Sequence, residues 1–286
     1  MTRNAKARLL AAALLLAGAA GARAAEVLAV LSSESGHYRQ AYDGFVEAWG
    51  SPVPSAMTGA VPEGRRDAIV AFGSRAALSE ESATPLLVVC LAPGAVLPKG
   101  AGEVIRVSLV PEAGVLADRM KRLLPGLGVV RVLWTSEYER AEVEELTAAA
   151  RELGFEVISE RVENPEELPA RVRGFAGRAD ALWLTPDPAL VNAQNFKTLR
   201  EYAKAARVPF LAPTEGLAEK GATATLAVSF RDVGRAAAAA LKSRLAGGKV
   251  PERVHSDRVV VTVNSEAALE TGLDTTAARG VDRMIK

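Results

Sequence analysis

The chain has 286 residues, with 35 lysines and arginines against 34 aspartates and glutamates and a formal charge of +1. A hydrophobic content of 49% and a charged content of 24% are those of a globular protein and exclude a disordered chain. The balanced charge and an aromatic content of 5% argue against a nucleic-acid binder, which would neutralise phosphates or stack bases.

Residues 1–8 carry Arg3, Lys6 and Arg8 and no acid, and residues 9–17 are an unbroken run of Leu and Ala. Ala22-Arg23-Ala24 follows as a small-x-small site. This is the pattern of a secretory signal, so residues 1–24 read as a signal peptide cleaved near Ala24, and the chain as exported to the periplasm. The apolar run is shorter than the ~20 residues that a bilayer span needs. A strand follows at 26–31, a polar loop at 32–37, and a helix at 39–49 with Ala41, Tyr42, Phe45 and Trp49 at helical spacing. Strands are expected at 68–72, 86–91 and 103–108, with a short helix from 75 to about 81. Cys90 lies in an apolar run and reads as a core residue, not a nucleophile.

The second half repeats the alternation. Strands are expected at 129–135, 155–162, 181–185, 208–212, 222–228 and 258–263. Helices are expected at 139–153, 165–176, 188–206, 231–245 and 265–270. Gly154 closes one helix as a left-handed cap, and Asn164 with Pro165 opens the next. Trp134 and Trp183 fall inside strands and read as core. The acidic run at 137–145 reads as a solvated helix face. Strands alternating with helices imply βαβ units: an α/β chain of two doubly wound parallel-sheet lobes, split near 108–114. Ligands of such sheets sit beyond the carboxyl ends of the strands.

Those ends supply the candidate site. In the first lobe they are Ser32-Ser33-Glu34, Gly73-Ser74-Arg75 and Ala92-Pro93-Gly94. In the second they are Ser136-Glu137-Tyr138, Thr185-Pro186-Asp187 and Pro213-Thr214-Glu215. Gly73-Ser74 at a helix start would present free amides to a carboxylate or another anion, or Ser74 would simply cap the helix. Asp187 and Glu215 would accept from a ligand's ammonium or hydroxyl, or cap helices themselves. The ligand-binding candidates are Ser32, Ser33, Gly73, Ser74, Arg75, Ser136, Glu137, Asp187, Thr214, Glu215 and Phe230. His37, His255 and Cys90 make no metal-binding spacing, and no nucleophile elbow, P-loop or dinucleotide fingerprint is present. No catalytic residue, metal or cofactor is expected.

Several stretches together resemble the ABC-transporter substrate-binding proteins of the tryptophan/tyrosine-binding type, within the type I periplasmic binding proteins. They are Asp67-Ala-Ile-Val-Ala-Phe-Gly-Ser74, Leu123-Leu-Pro-Gly-Leu-Gly-Val-Val-Arg-Val-Leu133 and Asp180-Ala-Leu-Trp-Leu-Thr-Pro-Asp187. They continue through Val208-Pro-Phe-Leu-Ala-Pro-Thr-Glu-Gly216, Lys220-Gly-Ala222, residues 229–234, Val263-Asn264 and Gly272-Leu273. The resemblance implies two lobes joined by three hinge crossovers at 108–110, 227–230 and 249–254. The first lobe would be 26–108 plus 229–248, and the second 109–228 plus 249–286. It maps a carboxylate-holding hydroxyl to Ser74 and a second-lobe acid to Asp187. Residues 52–67 leave no room for the helix usual between the second and third strands, so the first lobe is shortened. The function implied is a monomeric periplasmic binding protein that passes an amino acid or another small anion to an ABC permease. The alternatives are a periplasmic sensor or accessory binding module, and an enzyme, which the absent nucleophile–base set disfavours.

Overall fold

The computed structural model describes residues 25–34, 36–79, 84–97, 102–175, 177 and 179–286. The signal peptide, and the helix ends expected at 81 and 176, lie outside the described residues. The first block runs β1 (Val27–Leu31), α1 (Gly36–Trp49), β2 (Ser55–Met57), β3 (Ala68–Phe72), α2 (Ser74–Ser79), β4 (Leu86–Cys90) and β5 (Glu103–Val107). The second runs α3 (Ala113–Leu123), β6 (Val129–Trp134), α4 (Glu137–Glu152), β7 (Glu156–Arg161), α5 (Leu168–Arg173), β8 (Ala181–Leu184), α6 (Ala193–Ala206), β9 (Phe210–Ala212), α7 (Gly216–Glu219) and β10 (Ala224–Ala227). The chain ends with α8 (Phe230–Leu245), β11 (Arg253–Val254), β12 (Val260–Asn264), α9 (Ser265–Thr271) and β13 (Arg283–Ile285).

Two sheets result, as the alternation requires. The first has the order β11-β5-β4-β3-β1-β2, and every pairing in it is parallel. The second has the order β13-β12-β10-β9-β8-β6-β7, parallel except for β10 against β12. Strands β1, β3 and β4 are buried at every residue, which explains their unbroken apolar sequences. Each sheet carries its own core: Phe45, Phe72, Ile105 and Leu241 on the first, Leu116, Met120, Val132 and Trp183 on the second. Cys90 lies in the first core, fully buried, and burial pushes its thiol pKa up.

The chain passes between the sheets three times: after β5 into α3, after β10 into α8, and after β11 into β12. Helix α8 therefore packs on the first sheet although it follows a strand of the second. The third passage lays Arg253 and Val254 beside Arg106 and Val107 at the edge of the first sheet.

Some elements differ from expectation. Helix α3 was not anticipated, although Leu116, Ala117, Met120 and Leu123 give it a buried helical stripe. Helix α6 starts at Ala193, not at 188, because the Asn192 side chain accepts from the Asn195 amide and caps it there. Strands β2, β11 and β13 have only two or three residues each, too short for a periodic signal. Residues 58–67 connect β2 to β3 with no helix, as their length dictates. Among the described residues no helix is long and apolar enough to cross a membrane.

Candidate functional site

On the first sheet, β1 and β3 end side by side and bring Ser32 against Gly73. The Ser32 hydroxyl accepts from the Ala76 amide at 3.0 Å, taking up one of the orphan N–H groups of α2. The Arg75 guanidinium donates to the Ser32 carbonyl. Gly73 has φ of +104°, and a Cβ there would stand 2.4 Å from Ser32 Oγ and 2.7 Å from Tyr38 Cε1. Only glycine fits this close approach. Ser74 and Arg75 open the helix, so their amides have no intrahelical acceptor. An aromatic group borders the turn: His37 lies 4.1 Å from Tyr38 and 5.6 Å from Phe230, ring centre to ring centre. Burial lowers the pKa of His37. Thus Ser32, Gly73, Ser74 and Arg75 meet in one cradle, with Phe230 in the neighbouring aromatic group. Ser33 is the next residue along the same loop, half-buried.

The second-sheet candidates are more dispersed. Asp187 is 3% exposed, and both its oxygens are engaged. Oδ2 accepts from the Thr135 amide at 2.9 Å and from the Thr135 hydroxyl, and Oδ1 from the Ala189 amide at 2.9 Å. It fastens the end of β6 to the end of β8. Ser136 caps α4, accepting from the Tyr138 amide at 3.2 Å. Glu137 is exposed and pairs with Arg140 at 3.2 Å. Thr214 and Glu215 stand before α7, where Glu215 pairs with Arg283 at 3.1 Å. These ion pairs of Glu137 and Glu215 stay within the second lobe.

The face expected to be solvated at 137–145 is partly buried. Glu139 is 0% exposed and Glu142 is 5% exposed. Both continue the stripe of Val143, Leu146 and Ala150, the buried face of α4. That i, i+3, i+4 spacing was the available signal; the acidic composition masked it. Glu139 accepts from the Ser136 hydroxyl through Oε2, and Oε1 has no partner. Burial, and then the charge of Asp187, raise its pKa to about 7. Glu142 accepts from Ser108 at 2.5 Å through Oε1, while Oε2 is unpartnered, and burial raises its pKa too.

These acids line the seam between the lobes. The first-lobe loop after β4 reaches across, so that a Cβ built on Gly94 would lie 3.5 Å from Glu139 Oε1 and 3.6 Å from Pro188 Cδ. Nearer the hinge, the Tyr138 ring lies 4.9 Å from the Arg253 guanidinium and 5.8 Å from that of Arg106. Arg253 also pairs with Glu145 at 3.0 Å. Between Ala92, Pro93, Tyr138, Glu142 and Pro186 there remains a void of about 10 Å³, near the least that one water needs. Wider concavities lie elsewhere among the described residues. One of about 780 Å³ borders the start of β1 with Trp49, Pro52, Pro54 and Pro62, beside the connection that lacks a helix. One of about 430 Å³ lies among Arg200, Lys204, Asn264 and Glu270.

A family model described as ABC transporter substrate binding protein matches residues 63–278. No curated protein sequence matches the chain. Among solved structures, an ABC domain in complex with L-Trp from Streptococcus pneumoniae is 18% identical, with 91% of this chain and 99% of that one covered and a TM-score of 0.61. A ligand-free, open substrate-binding protein with adhesive properties from Clostridium difficile is 17% identical, with 92% and 99% covered and a TM-score of 0.62. A conserved domain protein from Vibrio cholerae is 17% identical, with 92% and 100% covered and a TM-score of 0.61. At these identities the likeness is one of fold, the two-lobed α/β architecture of type I periplasmic binding proteins.

Proposed function

The chain belongs to the ABC transporter substrate binding protein family, and on that premise we propose that it is an exported periplasmic protein, monomeric, that captures a small ligand between its lobes for an ABC permease. The lobes would be residues 26–108 with 229–248, and 109–228 with 249–286, the short β11 reaching back onto the first sheet. The observation that carries this reading is the first-lobe cradle. Gly73 brings the start of α2 against Ser32, Arg75 adds a cation, and Tyr38, His37 and Phe230 supply an apolar border. Amides, a guanidinium and aromatic rings together suit a carboxylate with an apolar body. Ser33 would act beside it, and Ser136, Glu137, Asp187, Thr214 and Glu215 from the strand ends of the second lobe, Asp187 by holding β6 and β8 in place. Closure would come from hinge bending at the three crossovers.

The Streptococcus relative was solved with L-Trp, so amino acids are the first compounds to test, followed by other small carboxylates. Mass spectrometry of whatever co-purifies, and melting-temperature shifts across that panel, test the proposal, since a ligand bound only by the folded state must stabilise it. Ser74→Trp fills the cradle and should abolish the shift. Retained affinity would remove the cradle from the site, and no shift from any compound would count against capture itself.

A second reading is a sensor or accessory module without transport. The open groove beside the missing helix, at Trp49 and residues 51–55, favours it. Binding of the ligand-loaded protein to its permease in proteoliposomes separates the two.

A further inference from the structure

Glu139 is a wholly buried carboxyl on the seam between the lobes. Oε1 has no hydrogen-bond partner, the Ser136 hydroxyl donates to Oε2, and the backbone amides of Ser136 and Glu139 favour the charged form without outweighing burial. The titratable and charged groups around it are few. From its own helix there is Glu142, itself buried and tied to Ser108 of the first crossover. From the loop after β8 comes Asp187, whose oxygens are committed to Thr135 and Ala189. From the first lobe comes the backbone at Gly94, which carries no charge. The nearby cations serve other groups: Arg106 donates to the Ala95 carbonyl and covers Tyr138, Arg253 pairs with Glu145, and His255 meets the Val110 carbonyl. An ionised Glu139 would thus be a buried charge beside two other acids, with no cation to offset it, whenever the seam is shut.

We propose that Glu139 has to be neutral for the lobes to close, so that its protonation controls the opening of the seam. The device rests on the seam alone and holds whatever the ligand is. In the shut seam the carboxyl keeps its proton to about pH 7, whereas in an opened, hydrated seam it would ionise near the ordinary carboxylate value. The shut state binds the extra proton. Its advantage is complete below the open-state pKa and is lost as pH rises through about 7.

Hydrogen exchange followed by mass spectrometry tests this, with rates corrected for intrinsic exchange at each pH. Protection in peptides covering 91–97 and 135–142 should fall on the order of a hundredfold between pH 5 and pH 8. Peptides from β1 and β12 should not change. In Glu139→Gln, which stays neutral, the seam peptides should keep high protection at both pH values. A flat profile in the unmodified protein overturns the proposal. So does a slope that survives in Glu139→Gln and vanishes in Glu142→Gln, which would move the switch to the other acid. The infrared band of a neutral carboxylic acid gives a second readout, and Glu139→Gln should remove the Glu139 component while leaving that of Glu142. The Glu139 component should titrate near neutral pH in the unmodified protein, and its absence at pH 6 also overturns the proposal.

Discussion

A strand-end acid can hold a ligand or hold the strand ends, and Asp187 shows how a few atoms decide. From the sequence, its position after β8 allowed either role. In the fold it accepts two amides and one hydroxyl, and it is 3% exposed. Asp187→Ala would leave those donors buried and unmet, at a cost of about 2–3 kcal/mol. We predict that this variant loses stability in urea unfolding, and that Asp187→Asn loses less because it keeps an acceptor. Unchanged stability with lost affinity would make Asp187 a direct ligand contact instead. The same scale explains what was missed. Gly73 and Ser32 are legible as turn residues, but the contact between them depends on β1 and β3 ending in register. Glu139 and Glu142 were legible only as charges, although their spacing matches the apolar stripe of α4.

At the scale of elements, long periodic segments were readable and short or capped ones were not. Helices α1 and α8 declare themselves by apolar spacing, yet nothing in either sequence says that they cross each other. They do so at two glycines: a Cβ on Gly234 would lie 1.9 Å from the Ala41 carbonyl oxygen, and one on Gly44 2.1 Å from that of Arg231. This contact allows a helix that follows the second sheet to seal the first. In an exposed helix, Gly→Ala stabilises by about 1 kcal/mol. Here the sign should reverse. Gly234→Ala has to push two packed helices apart, and we predict a loss of about 2 kcal/mol or more by chemical denaturation. A variant as stable as the parent would show that the crossing can relax. Strand β2 was unreadable for a different reason. Its three residues pair with β1 only because the chain turns back at residues 50–54.

For the whole molecule, the near-zero net charge means that no broad field draws the lobes together or selects a partner. What holds the seam must then be local, and the contacts near the hinge are the place to look. Tyr138 projects from the second lobe between Arg106 and Arg253, both on strands of the first sheet, and burial raises its phenol pKa. The ring is the part that matters for this grip, since cation–π attraction acts through its face. Each lobe has its own core, so removing the ring should loosen the lobes without unfolding either. We predict that Tyr138→Ala increases the radius of gyration measured by small-angle X-ray scattering at pH 5, where Glu139 is neutral and the seam is otherwise shut. Tyr138→Phe keeps the face and gives up only the hydroxyl beside Ser108, so it should scatter like the parent. If both variants scatter like the parent, the grip contributes nothing and the loop at Gly94 holds the lobes alone. If both expand equally, the hydroxyl rather than the ring is the fastening, and the hinge is held by hydrogen bonding at Ser108.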